Sequence, residues 1–187
     1  MRFILHYRGP LYANAKPSHK HELREIFHTQ LKQLWGQSPL AEERQYLLPP
    51  TRKVGEYFLE RPVAPFVFVP LVTNEMNVVA KLSIVLLRPE PAGRLVTQGG
   101  DIDNRLKTLF DALAMPPHQN ALPAGAAPKT DQIPYFFCLL EDDNLITSVS
   151  VSTEQLLEPT PDTSVLDAYI NVETRVTRHT MGNVTFS

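Results

Sequence analysis

Two short acidic segments contain the residue types that could do chemistry in this chain. The first reads DIDN and carries Asp101 and Asp103, and the second reads LEDDNLI and carries Asp142 and Asp143. In an extended segment, side chains two positions apart point to the same side, so Asp101 and Asp103 would present their carboxylates together. Carboxylates that converge without His or Cys suit a hard cation such as Mg²⁺, which activates water and stabilises charge on a phosphoryl group.

A short helix is predicted over residues 104–114, directly after the first acidic segment. Its apolar residues recur at helical spacing and form one face, which consists of Leu106, Leu109, Phe110 and Leu113. Asn104, Lys107 and Asp111 lie on the opposite face. Either Asp103 or Asn104 could cap the helix, and Lys107 could hold a phosphate or neutralise developing charge.

Each acidic motif is common by itself. An Asp before a helix is often a cap, and two adjacent Asp residues between strands often form a turn. A calcium loop is excluded because Arg105 stands where the next ligand would be. The combination of the two segments, and not either motif alone, therefore points to a metal site.

The combination resembles the RusA-like family of Holliday junction resolvases. In that family D-x-D-N is followed by a lysine, then by D-A-L, and then by a D-D pair before a strand. The matching residues here are Asp101-Ile102-Asp103-Asn104, Lys107, Asp111-Ala112-Leu113 and Asp142-Asp143. The resemblance covers residues 78–152, and the turn at residues 10–14 is similar to the family's proline–asparagine turn.

The resemblance implies a homodimeric, Mg²⁺-dependent endonuclease that cuts four-way DNA junctions in recombination and repair, from a bacterial and often prophage-borne family. Mn²⁺ is an alternative metal. The resemblance also implies metal-binding carboxylates at Asp101, Asp103 and Asp143, with Lys107 as the catalytic neighbour. The supporting residues are Asp142, Asn104 and Asp111. Two other functions remain open: a binding protein that kept the scaffold without activity, and a nucleotidyltransferase. The latter is disfavoured because its helix usually precedes the D-x-D pair.

An amphipathic helix is predicted over residues 18–35, with Ser18 as its N-cap and Trp35 in the core. Its histidines, His19, His21 and His28, are interpreted as part of a solvated, mildly basic face. The candidate DNA contacts are Asn14, Lys16, Lys20, Arg24 and Arg105.

The fold predicted for residues 1–187 is a single α+β domain, in which a few helices pack on a mixed β-sheet. Strands are expected at residues 2–7, 66–72, 78–87, 133–140, 145–151 and 166–176. Residues 37–62 are expected to be irregular, and residues 116–131, which are rich in Pro and Ala, to form a flexible surface insertion.

Composition limits the remaining possibilities. No apolar run is long enough for a membrane helix, and the N-terminus is too short and polar for a signal peptide, so a cytoplasmic location is expected. The single cysteine, Cys138, stands in an apolar run and is expected to be buried. The net charge of −2 argues weakly against non-specific nucleic-acid binding.

Overall fold

A computed structural model of the chain describes residues 1–48, 58–89, 102–158, 165–180 and 182–186. The helices and strands within these ranges are β1 (Arg2–Pro10), α1 (Pro17–Leu34), α2 (Leu40–Leu47), β2 (Arg61–Val63), β3 (Phe66–Val72), β4 (Val78–Arg88), α3 (Ile102–Leu113), β5 (Phe136–Leu140), β6 (Ile146–Gln155) and β7 (Val165–Val176). They form one α+β domain, as predicted.

The strands form two mixed sheets, where the sequence predicted one. The larger sheet has the order β1-β7-β4-β6, and its β4–β6 pair is parallel. The smaller sheet has the order β2-β3-β5, and its β3–β5 pair is parallel. The separation follows from the side chains. Both β3 and β5 are apolar on both faces and lie inside the core, whereas β4 and β7 alternate and leave one face of the larger sheet exposed.

The alternation along β7 produces the predicted strand. Its inward residues Leu166, Ala168, Ile170 and Val172 are buried in the main core. Asp167, which the same alternation assigns to the outer face, is also buried, because its carboxylate lies 3.0 Å from His6 Nε2 and 3.8 Å from Arg8 Nη1.

Helix α1 buries Leu23, Phe27 and Leu31 in the main core, where its neighbours are β5, α3 and the edge strand β1 of the larger sheet. The predicted Ser18 N-cap is wrong, because the helix begins one residue earlier, at Pro17. Proline suits this position since its missing N–H would have had no partner in the first turn. Trp35, just after the helix, is fully buried as predicted.

The histidines of α1 do not form the solvated face that the sequence indicated. His21 and His28 are buried, and burial is the main cause that lowers the pKa of both. His28 Nδ1 accepts a hydrogen bond of 2.9 Å from the Phe137 N–H, so its Nε2 carries the proton and donates to the Asp131 carbonyl at 3.1 Å. His28 therefore joins α1 to β5, which packs on this second face of the helix.

Two segments predicted to lack regular structure are more ordered than expected. The stretch expected to be irregular at residues 37–62 contains α2 and the start of β2, and its residues 49–57 lie outside the described ranges. The predicted insertion at residues 116–131 buries Leu122 in a second apolar cluster, and Lys129 Nζ bonds to Glu25 Oε2 at 2.7 Å. This insertion is thus packed against α1 and the smaller sheet.

Cys138 on β5 is buried as expected, and burial raises the pKa of its thiol well above the usual range. None of the helices in the described ranges combines the length and apolarity needed to cross a membrane.

Candidate metal and phosphate site

Helix α3 begins at Ile102, two residues earlier than predicted. Asp103 therefore lies in the first helical turn. The prediction that Asp103 is part of an extended segment shared with Asp101 is wrong for Asp103. The Asp103 side chain is exposed near the positive end of the helix dipole, which suits its charge. Asp101 lies outside the described residues.

The apolar face of α3 is the predicted one. Leu109 and Leu113 are buried, and Leu106 and Phe110 are partly buried against the same core. The main partner of α3 is α1, with the end of β5 beside it, where the sequence predicted the sheet. The polar residues of α3 remain accessible: Lys107 is exposed, and Asn104, Arg105 and Asp111 are half-buried.

The turn after β1 is held against α3. The hydroxyl of buried Thr108 accepts a hydrogen bond from the Ala15 N–H at 3.3 Å. Asn14 and Lys16, on either side of Ala15, are exposed, and Asn14 has a φ of 51°, a conformation that Asn tolerates better than most residues. Two of the candidate DNA contacts therefore lie on a turn attached to α3.

The second acidic segment leaves the carboxyl end of β5 and is fixed by its own hydrogen bonds. The Glu141 carboxylate accepts two hydrogen bonds, one from Arg61 Nε at 2.6 Å on Oε1 and one from the Asn74 N–H at 3.1 Å on Oε2. Asp142 caps the following 3-10 turn, because its Oδ1 accepts the Asn144 N–H at 2.9 Å. Glu141 is thus engaged as an anchor, and the two aspartates after it are exposed.

A cavity of about 290 Å³ lies where α1, α3 and this acidic turn meet. Its charged lining residues are Lys20, Arg24, Asp111, Glu141, Asp142 and Asp143. The structure therefore brings Asp111 and the Asp142-Asp143 pair to one cavity, whereas Asp103 is not among the residues that line it. Lys107 does not line this cavity but is close enough to affect the ionisation of Asp143.

The acidic side chains at the cavity affect each other's ionisation. Partial desolvation at the cavity, then the neighbouring Asp142 carboxylate, raise the pKa of Asp143 above its usual value; Asp111 adds to this rise and Lys107 opposes it. A cation reduces the electrostatic repulsion between neighbouring carboxylates, and carboxylate oxygens are the donors that Mg²⁺ prefers. The donor type fits, although within the described ranges no three acidic, His or Cys side chains lie close enough to form a complete metal site.

The α1 wall of the cavity carries two basic residues with different surroundings. Lys20 Nζ lies 2.6 Å from Asp111 Oδ2. Arg24 is only 3% exposed, and it donates to the Ala114 carbonyl at 2.9 Å and the Asp111 carbonyl at 2.6 Å. Burial lowers the pKa of Arg24 to about 10. The direct DNA contact expected of Arg24 is incompatible with this burial: its role in the free protein is to cap the end of α3.

The residues that hold the site together are not evident in the sequence. Arg61 is 80 residues away from the Glu141 that it binds, and Arg24 reaches main-chain atoms 87 and 90 residues away. Nothing in local spacing or periodicity marks such pairs. Thr108 could have been noticed, because a β-branched polar residue beside the apolar stripe of a helix often hydrogen-bonds to a neighbouring segment.

No protein-family model matches the chain, and no curated protein or solved structure shows significant similarity to it. A functional assignment must therefore rest on the chemistry of this cavity and of the motifs around it.

Proposed function

We propose that this protein is a Mg²⁺-dependent endonuclease that cleaves branched DNA, including four-way Holliday junctions. The observation that carries the proposal is the meeting of Asp111 from α3 and Asp143 from the turn after β5 at one cavity, with Lys20 beside them. Acidic oxygens next to accessible ammonium groups suit a phosphodiester that is bound through a cation.

Each residue has a definite part in this proposal. Asp101, Asp103 and Asp143 would hold the metal ion, with Mn²⁺ able to replace Mg²⁺. When bound, the ion would supply Lewis acidity and a more acidic water molecule. Lys107 would neutralise charge that develops on the phosphoryl group, and the Asp142 cap would keep Asp143 oriented.

The polar groups around the cavity would bind the DNA backbone. Asn14 and Lys16 are exposed on the turn that Thr108 fixes to α3, so they would meet phosphates on that side. A homodimer would present two such cavities related by a twofold axis, which matches the two strands that must be cut to resolve a four-way junction. Light scattering that gives a monomer at working concentration would remove the dimer from the proposal.

One observation favours a second candidate, a binding protein that lacks activity. Two carboxylates at the cavity are already paired in the free protein, Asp111 with Lys20 and Glu141 with Arg61, which leaves fewer acidic oxygens for a metal ion. A binding protein would retain affinity for branched DNA but would need no divalent cation to bind it.

Cleavage assays separate the two candidates. Purified protein is incubated with four-way, three-way, duplex and single-stranded DNA, with and without Mg²⁺. We expect Mg²⁺-dependent cleavage of the branched substrates, its near-complete loss in Asp143→Asn, and no change in Asp131→Asn, which removes an exposed carboxylate near the other end of α1. Binding of branched DNA without cleavage of any substrate would overturn the nuclease proposal in favour of the binding protein.

A further inference from the structure

Lys20 and Asp111 form a close ion pair at the border of the cavity. Lys20 Nζ lies 2.6 Å from Asp111 Oδ2, and the two side chains are 25% and 28% exposed, respectively. The pair joins α1 to α3, and both residues line the cavity together with the Asp142-Asp143 turn. An ammonium group thus sits against one of the carboxylates that a metal ion in this cavity would attract.

Arg24, one turn further along α1, adds a second observation. Its guanidinium is buried and lines the same cavity, and Nη1 has no hydrogen-bond partner. Since Nε and Nη2 are taken by the carbonyls of Ala114 and Asp111, Arg24 is fixed in place. The α1 wall of the cavity is therefore cationic, with a fixed buried charge beneath an accessible one.

The charges of the cavity are nearly balanced in the free protein. Arg61 neutralises Glu141 through a contact of 2.6 Å, so Asp111, Asp142 and Asp143 face the positive α1 wall. A divalent cation held by Asp143 beside Asp111 would add positive charge to the cavity and compete with Lys20 for Asp111. A lysine has a flexible stem and a compact charge, so the released ammonium could turn to an incoming phosphate.

We propose, on the basis of the function argued above, that Lys20 is a phosphate-binding residue of the substrate site, held by Asp111 until a divalent cation binds. Lys20 thereby acts first as an internal counter-ion of the acidic cavity and then as a contact to the phosphodiester. The ligand that Lys20 recognises is a phosphate of the DNA backbone and not a base, because the attraction between an ammonium group and a phosphate does not depend on the base sequence.

Lys20→Met should change two measurements in opposite directions. Removal of the competing ammonium should tighten Mn²⁺ binding to the DNA-free protein about three- to tenfold, which is the effect of one charge a few ångströms away in water-like surroundings. Binding of a four-way junction, measured in Ca²⁺ over a range of salt concentrations, should weaken. The slope of log K against log salt should fall by roughly 0.9, as for the loss of one phosphate contact.

Two further variants provide the controls. Lys20→Arg keeps the charge and should retain the wild-type salt slope. Lys81→Met removes a lysine from the exposed face of the larger sheet, where it lies 4.0 Å from Glu173, and should alter neither measurement.

The outcomes separate the inference from the function on which it rests. Weaker Mn²⁺ binding by Lys20→Met, or a salt slope equal to that of the wild type, overturns the role of Lys20 while metal-dependent cleavage by the wild type stands. A wild-type protein that neither binds Mn²⁺ nor cleaves DNA overturns both.

Discussion

Arg24 offers the sharpest test of how the site is assembled, through the substitution Arg24→Met. Its guanidinium connects α1 to the last turn of α3 through the Ala114 and Asp111 carbonyls. Ala114 also pairs with Leu140 at the end of β5, and the acidic turn follows at once. Loss of this cap should loosen both walls of the cavity, while methionine keeps much of the apolar volume.

The magnitude follows from the two carbonyl groups that would lose their donors. A buried acceptor without a partner costs about 1–3 kcal/mol. Part of this cost is offset because a buried cation, whose pKa falls to about 10, no longer needs to be desolvated. A net loss of about 3 kcal/mol is expected from these opposing effects. For a chain of this size it would lower the melting temperature by roughly 6–12 °C.

Urea unfolding and thermal melts of the metal-free protein measure this loss. Arg2→Met is the matched control, because Arg2 makes an ion pair with Glu173 but its side chain is 80% exposed, so its removal should leave the unfolding midpoint unchanged. A loss below about 1 kcal/mol in Arg24→Met would refute the capping role, since it is smaller than the cost of even one unsatisfied buried carbonyl.

Three further predictions concern the metal, acid stability and the anchor of the acidic turn. Asp103→Asn should lower Mn²⁺ affinity and nearly abolish cleavage, with metal-free stability almost unchanged because the side chain is exposed; calorimetry and melts of the same samples check this. Burial lowers the pKa of His28, so the unfolded chain binds more protons than the folded one, and stability should fall as the pH drops below about 6.5. His28→Asn should make urea midpoints measured from pH 7.5 to 5 less dependent on pH, and a curve as steep as that of the wild type would exclude His28 as a cause. Arg61→Met should cost about 2 kcal/mol by leaving the half-buried Glu141 without its charged partner, and it should weaken Mn²⁺ binding; an unchanged Mn²⁺ affinity would show that this anchor does not position the site.

The elements with regular side-chain patterns could be predicted from the sequence. The continuous apolar run of β3 and the alternation of β7 predict the correct strands. A strand buried on both faces is apolar throughout, and a strand buried on one face alternates between apolar and polar residues. The apolar face of α3 was identified for the same reason. Residue types and order indicate the acidic residues as candidates; Asp111 and Asp143 meet at one cavity, Asp103 does not line it, and Asp101 lies outside the described residues.

The remaining features depend on contacts between distant parts of the chain. The sequence predicts a solvated face for His28 because a histidine on a helix gives no indication that β5 will cover it. The second sheet was missed because an apolar strand does not specify which neighbour it will pair with. The sequence also predicts a DNA contact for Arg24, since local sequence cannot distinguish an exposed arginine from one that caps another helix.

Calorimetric titration of the DNA-free protein with Mn²⁺ asks whether the acidic cavity binds a divalent cation at all. We expect saturable binding to the wild type and to Asp131→Asn, and its loss in Asp143→Asn. Absence of binding to the wild type, or equal affinity in Asp143→Asn, would rule out a cation site at this cavity.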